Sequence, residues 1–260
     1  DGQRQVTMET TDISLTLFKS IFDNKTHKRM DLKSFTEFEH LLFELSKLPR
    51  KDKKDAQLIS PATYIEDTTR ANNNVVDWGG WCAVDVDDHE FKGNLKDELD
   101  GMVGNWHYVC YSTASSRRDT PKFRLVFPLR RRVGKENIKA FWYALQSKLG
   151  NIGDCQTKDL SRMYYVPGQY YHADNFIFTG GGGQSIDPYA LMQEFPYAEK
   201  KSGNTFFDRL PEEVQRQIIE HRKSKLDNTD FSWNSYHDCP FFPKHLEAEY
   251  RSLTSTGWYH

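Results

Sequence analysis

The stretch WCAVDVDDHEF, residues 81–91, decides how the fold is interpreted. Side chains alternate between the two faces of a β-strand, so Val84 and Val86 would pack into a core while Asp85 and Asp87 project from the opposite face. Two carboxylates this close repel each other, and one pKa rises, unless a divalent cation lies between them. The stretch therefore predicts a strand that ends at a site for Mg²⁺ or Mn²⁺, which prefer oxygen ligands. The spacing alone also fits a second interpretation, in which the aspartate pair merely faces water.

The charges that follow this strand are segregated along the chain. The net charge is only −2, yet an acidic segment, residues 85–100, is followed by a basic one, residues 117–139. A site for a metal ion and a polyphosphate needs both signs of charge close together. Two solvated faces of opposite sign would give the same pattern.

The composition places the chain among globular proteins. Its 260 residues can bury a substantial core, and 14% aromatic and 28% charged residues argue against general disorder. Four scattered cysteines predict neither a disulfide framework nor a CxxC zinc site, so a reducing cytoplasm is the expected location. No apolar run approaches the roughly 20 residues of a membrane-spanning helix, and we expect no membrane partner. The start at Asp1, with no readable targeting signal, suggests a piece of a longer protein.

Strands and helices are interleaved over most of the chain. One helix is predicted after Ser34, where Glu37 completes a capping box, and another over residues 136–150. Residues 25–31 and the glycines at 180–183 are predicted turns. Apolar or alternating runs predict strands at residues 14–23, 81–87, 105–113, 122–129, 163–171 and 175–180. This order predicts an α+β or α/β domain over residues 1–195, followed by a helical accessory region, residues 196–260.

Three other classes of protein use an Asp-x-Asp pair. In nucleotidyltransferases of the polymerase-β type a glycine pair precedes the aspartates by about ten residues, but Gly79 and Gly80 lie much closer to Asp85. Glycosyltransferases carry the pair in a loop without a later basic strand. Restriction-type nucleases need an acidic-x-Lys element soon after the first aspartate, and none is evident.

Three ordered motifs fit a fourth class. AVDVDD (83–88), YSTASSRRDTPKFRLVFPL (111–129) and GDCQTKDLSRMYYVPG (153–168) resemble the catalytic core of the archaeo-eukaryotic primase superfamily, over roughly residues 60–190. More narrowly, they resemble the primase-polymerase (PrimPol) domains of phage and plasmid replication proteins. The resemblance implies an α+β fold with an RNA-recognition-motif-like core. It also implies a DNA-dependent primase and polymerase that transfers nucleotides to a primer 3′-hydroxyl by a two-metal mechanism, with de novo primer synthesis as a further activity.

The resemblance also assigns residues. It implies that Asp85, Asp87 and Asp154 are the catalytic metal ligands for Mg²⁺ or Mn²⁺, with Asp159 as a less favoured alternative to Asp154. Relatives commonly carry a histidine at the position of Ala114 or Ser116, and this chain has none there. Hydroxyls and arginines can bind phosphate without an imidazole. The nucleotide-binding residues are therefore expected to be Ser112, Ser116, Lys122, Arg124 and Arg162. For each arginine, the alternative interpretation is a surface salt bridge.

The implied partners are a single-stranded DNA template with its primer, nucleoside triphosphates, and a helicase domain or partner beyond residue 260. The location would be the cytoplasm, that of the host for a viral protein. Two other functions stay open. One is a replication initiator that keeps the primase fold, binds DNA and catalyses poorly, which the absent histidine favours. The other is an unrelated metal-dependent nucleotidyltransferase.

Overall fold

A computed structural model describes residues 12–88, 90–153 and 159–197. Beyond them it describes residues 211, 213–217, 220, 252–254 and 257–259. The chain divides into two compact units, Asp1–Ala198 and Glu199–His260. In the described part, no helix combines the length and the apolar character needed to cross a bilayer. The functions predicted for residues 1–195 and 196–260 stay predictions.

The described residues of the first unit form thirteen short strands and four α-helices. The strands are β1 (Ile13–Phe18), β2 (Arg29–Leu32), β3 (Pro49–Arg50), β4 (Leu58–Ser60), β5 (Ala62–Tyr64), β6 (Val75–Trp78), β7 (Trp81–Val86), β8 (Tyr108–Ser112), β9 (Phe123–Pro128), β10 (Val133–Gly134), β11 (Tyr164–Tyr165), β12 (Gln169–Tyr170) and β13 (Ile177–Gly180). The helices are α1 (Phe35–Ser46), α2 (Leu95–Val103), α3 (Ile138–Lys148) and α4 (Pro188–Glu194). In the second unit, β14 (Ser252–Thr254) pairs with β15 (Gly257–Tyr259).

An antiparallel sheet in the order β13-β8-β9-β7 lies at the centre of the first unit. Strands β7 and β8 are both antiparallel to β9, which lies between them, so β7-α2-β8 forms a split β-α-β unit. One face of the sheet packs on α2 and α3. As the alternation predicts, Val84 and Val86 belong to this core, together with Phe141 of α3.

The other face of the central sheet is also buried. It packs against α1 and a second sheet in the order β11-β4-β1-β2, in a core that includes Trp81, Val126 and Phe38. Every residue of β7 and β9 is consequently buried. The face of β9 that carries Arg124 therefore lies in a protein interior.

The predicted mixture of helices and antiparallel strands is present, with local differences in its limits. Strand β1 ends at Phe18 instead of residue 23, and Phe22 beyond it is 89% exposed. The predicted turn at residues 25–31 contains the first part of β2. Helix α1 begins as predicted, because the Ser34 hydroxyl accepts a hydrogen bond from the backbone N–H of Glu37 at 3.3 Å. Helix α2 was not predicted, since the charged residues before it resemble a surface loop.

Candidate functional site

The centre of the site is a buried ion pair between neighbouring strands. Asp85 on β7 lies directly opposite Arg124 on β9, and each is only 7% exposed. The Nε and Nη2 atoms of Arg124 each lie 2.5 Å from Oδ1 of Asp85. The other carboxylate oxygen, Oδ2, accepts a hydrogen bond from Nη2 of Arg162 at 3.2 Å. Both oxygens of Asp85 are therefore occupied by guanidinium groups.

Aromatic residues complete the surroundings of Arg124. Its Nη1 donates to the hydroxyl of Tyr111 at 3.1 Å and to the backbone carbonyl of Tyr165 at 2.7 Å. The guanidinium carbon lies 4.8 Å from the ring centroid of Tyr164, within the range of a cation–π contact. Burial disfavours the charged form, but the Asp85 carboxylate, Tyr111 and Tyr164 together outweigh burial and raise the pKa of Arg124 above its ordinary value. Arg124 is thus a fixed, permanently charged part of the interior.

Asp87 lies just beyond the end of β7 and is partly open to solvent. Its side chain is 45% exposed, and its Oδ1 lies 3.9 Å from Nζ of Lys122. Partial burial raises the pKa of Asp87, and the negative charge of Asp85 adds to the rise, whereas Lys122 opposes it. A raised carboxylate pKa beside a second carboxylate marks a place where a cation would relieve repulsion.

Arg162 is held by a turn that is anchored to the neighbouring loops. The carbonyl of Leu160 accepts a hydrogen bond from the indole of Trp78 at 2.9 Å. The hydroxyl of Ser161 donates to Oδ1 of Asn72, also at 2.9 Å. The Arg162 side chain is 28% exposed, and its Nε is buried without a hydrogen-bond partner in the described part of the chain.

The serine-rich motif forms the turn that follows β8. The Ser112 hydroxyl bonds to the backbone of Phe176, accepting from its N–H at 2.9 Å and donating to its carbonyl at 3.3 Å. Ser116 is fully buried, and its hydroxyl accepts from the backbone N–H of Lys122 at 3.2 Å. The Ser112 hydroxyl therefore joins the end of β8 to the segment before β13, and the Ser116 hydroxyl holds the β8–β9 connection in shape.

A cavity of about 140 Å³ opens beside these groups. Of the residues predicted from the sequence, Asp85, Asp87, Ser112 and Arg124 line it. The others in its wall are Lys53, Tyr111, Thr113, Ala114, Ser115, Tyr165, Val166 and Tyr170.

Three predicted residues that the structure describes stand apart from this lining. Ser116, Lys122 and Arg162 lie behind or beside it, in contact with residues that do line the cavity or adjoin them. Asp154, the expected third metal ligand, lies outside the described residues.

Sequence reasoning missed Lys53, because a charged run such as residues 50–55 is typical of a solvated surface loop. It also missed the tyrosines, which were treated as strand residues only. The doubled tyrosines of the third motif, Tyr164 and Tyr165, were the available signal.

The carboxylates suit a hard divalent cation in kind. Asp85 and Asp87 line one cavity, and their oxygens are the ligands that Mg²⁺ and Mn²⁺ prefer. Among the residues that the structure describes, no three His, Cys, Asp or Glu side chains come together. A cation at this place would have to share Asp85 with Arg162, because that guanidinium occupies Oδ2.

One solved structure with a similar chain is the AEP domain of the cyanophage S-2L primase-polymerase (PrimPol). It has 13% sequence identity and a TM-score of 0.38, with 72% of this chain and 90% of that chain covered. At this score no residue correspondence is drawn. No curated protein sequence matches the chain.

The family described as the VapE N-terminal domain matches residues 21–202, which is most of the chain. This domain is associated with phage and plasmid replication, so the class that the three motifs resemble is confirmed. The chain belongs to the VapE N-terminal domain family.

Proposed function

We propose that this chain is a DNA-dependent primase-polymerase that transfers nucleotides to a primer 3′-hydroxyl in phage or plasmid DNA replication. The observation that carries the proposal is the cavity in which Asp85 and Asp87 lie together, with basic side chains on the adjoining strand. Opposite charges arranged in this way suit a divalent cation and a nucleoside triphosphate. Membership of a replication-associated family supports the choice of DNA as template.

The roles proposed for the described residues follow from where their polar atoms lie, and the role of Asp154 follows from the family resemblance. Asp85, Asp87 and Asp154 would hold two divalent cations, Mg²⁺ or Mn²⁺. When bound, such cations supply activation of the attacking hydroxyl and neutralise the triphosphate charge. Arg124 fixes the orientation of Asp85 through two of its nitrogens. Lys122, beside Asp87, offers a mobile positive charge to phosphate.

The remaining parts of the proposal concern the domain and its partners. The succession β7-α2-β8-β9-α3-β13 supports an RNA-recognition-motif-like core, because it contains a split β-α-β unit followed by a further helix and strand. The catalytic domain would occupy residues 1–195 and the accessory region residues 196–260. The partners would be a single-stranded template with its primer, nucleoside triphosphates and a helicase domain, in the cytoplasm.

A primer-extension assay tests the proposal. Purified protein receives a primed template, Mg²⁺ or Mn²⁺ and labelled dNTPs or NTPs, beside the variants Asp87→Asn and Asp88→Asn. Asp87 lines the cavity, while its neighbour Asp88 is exposed and does not, so the pair is matched in position and charge. We expect template-dependent extension that is lost in Asp87→Asn and kept in Asp88→Asn. Equal extension by all three proteins, or extension without a template, would overturn the proposal.

The alternative of a poorly catalytic replication initiator is favoured by one observation. Arg124, expected to bind the triphosphate, has its nitrogens engaged by Asp85, Tyr111 and Tyr165. The same experiment separates the two functions, because an initiator would bind the DNA tightly and extend no primer.

A further inference from the structure

The structure raises the question of which groups would bind the phosphates of a nucleotide in this cavity. Among the five residues expected to do so, three have their polar atoms engaged by the protein itself. The hydroxyls of Ser112 and Ser116 bond to backbone groups, and Arg124 bonds to Asp85 and two tyrosines. A group already bonded inside the protein gains little by exchanging its partner for a ligand. Further phosphate-binding groups, in addition to Lys122 beside Asp87, are therefore sought in the lining.

Lys53 is the exposed cation in the lining of this cavity. It lies in a single 3₁₀ turn, Lys53–Asp55, and no ion pair of its ammonium group is found within the described part of the chain. The two aspartates of this segment do not compete for it, because they cap the turn. Asp52 accepts from the backbone N–H of Lys54, and Asp55 accepts from that of Asp52. Lysine is a common phosphate ligand in proteins, where it acts as a point charge.

Thr113 supplies the second group. Its Oγ1 is buried and has no hydrogen-bond partner among the residues that the structure describes, and the residue lines the cavity. Its backbone is fixed, since its N–H donates to the carbonyl of Lys122 at 2.9 Å and its carbonyl accepts from Ser116 at 3.0 Å. A buried hydroxyl without a partner destabilises a protein by about 1–3 kcal/mol, which an acceptor oxygen in the cavity would relieve.

We infer that Lys53 and Thr113 form the phosphate subsite of this cavity, for the polyphosphate group of a nucleoside triphosphate. The inference rests on the proposed function and adds two residues that its motifs did not assign. Lys53 supplies the positive charge and Thr113 donates a hydrogen bond from a fixed position. Thr113 precedes Ala114, one of the two positions where relatives carry a histidine, so its hydroxyl would take over a phosphate contact at the same turn, while Lys53 contributes from a separate turn.

Matched variants test the inference by binding instead of catalysis. Lys53→Gln is compared with Lys54→Gln, which removes the same charge from the next residue and from outside the lining. Thr113→Val is compared with Thr120→Val, an exposed threonine in the same β8–β9 connection. The probes are inorganic tripolyphosphate and dATP, each with Mg²⁺, titrated by calorimetry. Thermal unfolding of every variant is recorded alongside.

We expect Lys53→Gln to weaken binding of both probes by about tenfold, the loss of one charge-assisted contact. Thr113→Val should weaken it about threefold to tenfold without lowering the melting temperature, because its hydroxyl has no partner to lose. The two control variants should stay within about twofold of the unsubstituted protein, since neither lines the cavity.

Three results would overturn the inference, and they differ in what else they remove. In the first result, the unsubstituted protein binds both probes, but Lys53→Gln binds them as tightly as Lys54→Gln does, and Thr113→Val as tightly as Thr120→Val. The subsite is then wrong and the proposed function stands. If the unsubstituted protein binds neither probe, the proposed function fails together with the subsite. A Thr113→Val variant that loses stability and binding together would also count against the inference, because the hydroxyl would then be structural.

Discussion

Replacing Asp85 by asparagine should destabilise the protein more than most single substitutions. The change leaves Arg124 charged, buried and deprived of the carboxylate that holds two of its nitrogens at 2.5 Å. Removing one partner of a buried ion pair destabilises proteins by about 3–5 kcal/mol. The asparagine amide still offers one acceptor oxygen, so we expect the lower end of that range, about 3 kcal/mol. The free energy of unfolding is measured by urea titration in EDTA, followed by the fluorescence of the buried Trp78 and Trp81.

The double variant Asp85→Asn with Arg124→Met separates lost charge pairing from lost packing. A buried pair that is replaced by uncharged side chains of similar volume often leaves stability unchanged. We therefore expect the double variant to be more stable than Asp85→Asn alone, with a coupling energy of about 2 kcal/mol. Asp88→Asn, at an exposed position, should change stability by less than about 0.5 kcal/mol. A loss below about 1 kcal/mol for Asp85→Asn, with a coupling energy near zero, would refute the reasoning.

Three further predictions concern the edges of the site and the glycine turn. Arg162→Gln removes a guanidinium group that competes with a cation for the Asp85 carboxylate. Mn²⁺ should therefore bind about threefold to tenfold more tightly to this variant, measured by EPR titration without nucleotide. An unchanged affinity for Mn²⁺ would contradict this prediction. The pKa of Asp87 in the folded protein lies above its ordinary value of 3.8. Protonated Asp87 therefore stabilises the fold, fully at pH values below 3.8, and this contribution is lost as the pH rises through the folded-state pKa. Asp87→Asn should therefore show a smaller fall in unfolding free energy from acid to neutral pH in EDTA, and parallel profiles would rule this out. Gly181 and Gly183 both have φ near +80°, but only a Cβ added at 181 would meet a neighbouring backbone carbonyl. In urea titrations, Gly181→Ala should therefore lower the free energy of unfolding by about 2 kcal/mol or more and Gly183→Ala by about 1–2 kcal/mol. Equal losses in the two variants would show that the contact is absent.

The sequence predicts those features of the fold that depend on residues close together in the chain. The alternation in residues 81–87 places Val84 in the core and Asp85 on the opposite face, and the spacing of Ser34 and Glu37 places the start of α1. The direct opposition of Asp85 and Arg124 could not be read in this way, because it depends on the register between two strands that are 39 residues apart. Burial of both faces of the sheet was equally hidden, since the covering strands come from distant parts of the chain. Lys53 shows the same limit, because a charged run gives no sign of the cavity beside it.

The position of Arg162 on the turn before β11 has a consequence for the order in which the protein is made. This arginine follows Asp85 by 77 residues, and the carbonyl of Tyr165 that anchors Arg124 comes later still. At synthesis rates of about 5–20 residues per second, Asp85 leaves the ribosome on the order of 4–15 s before Arg162 does. Until then the nascent chain holds an aspartate whose full set of partners has not been translated. Burial of β7 should thus be a late event, and a ribosome that stalls between these residues would present an open sheet with an unsatisfied charge to chaperones and proteases.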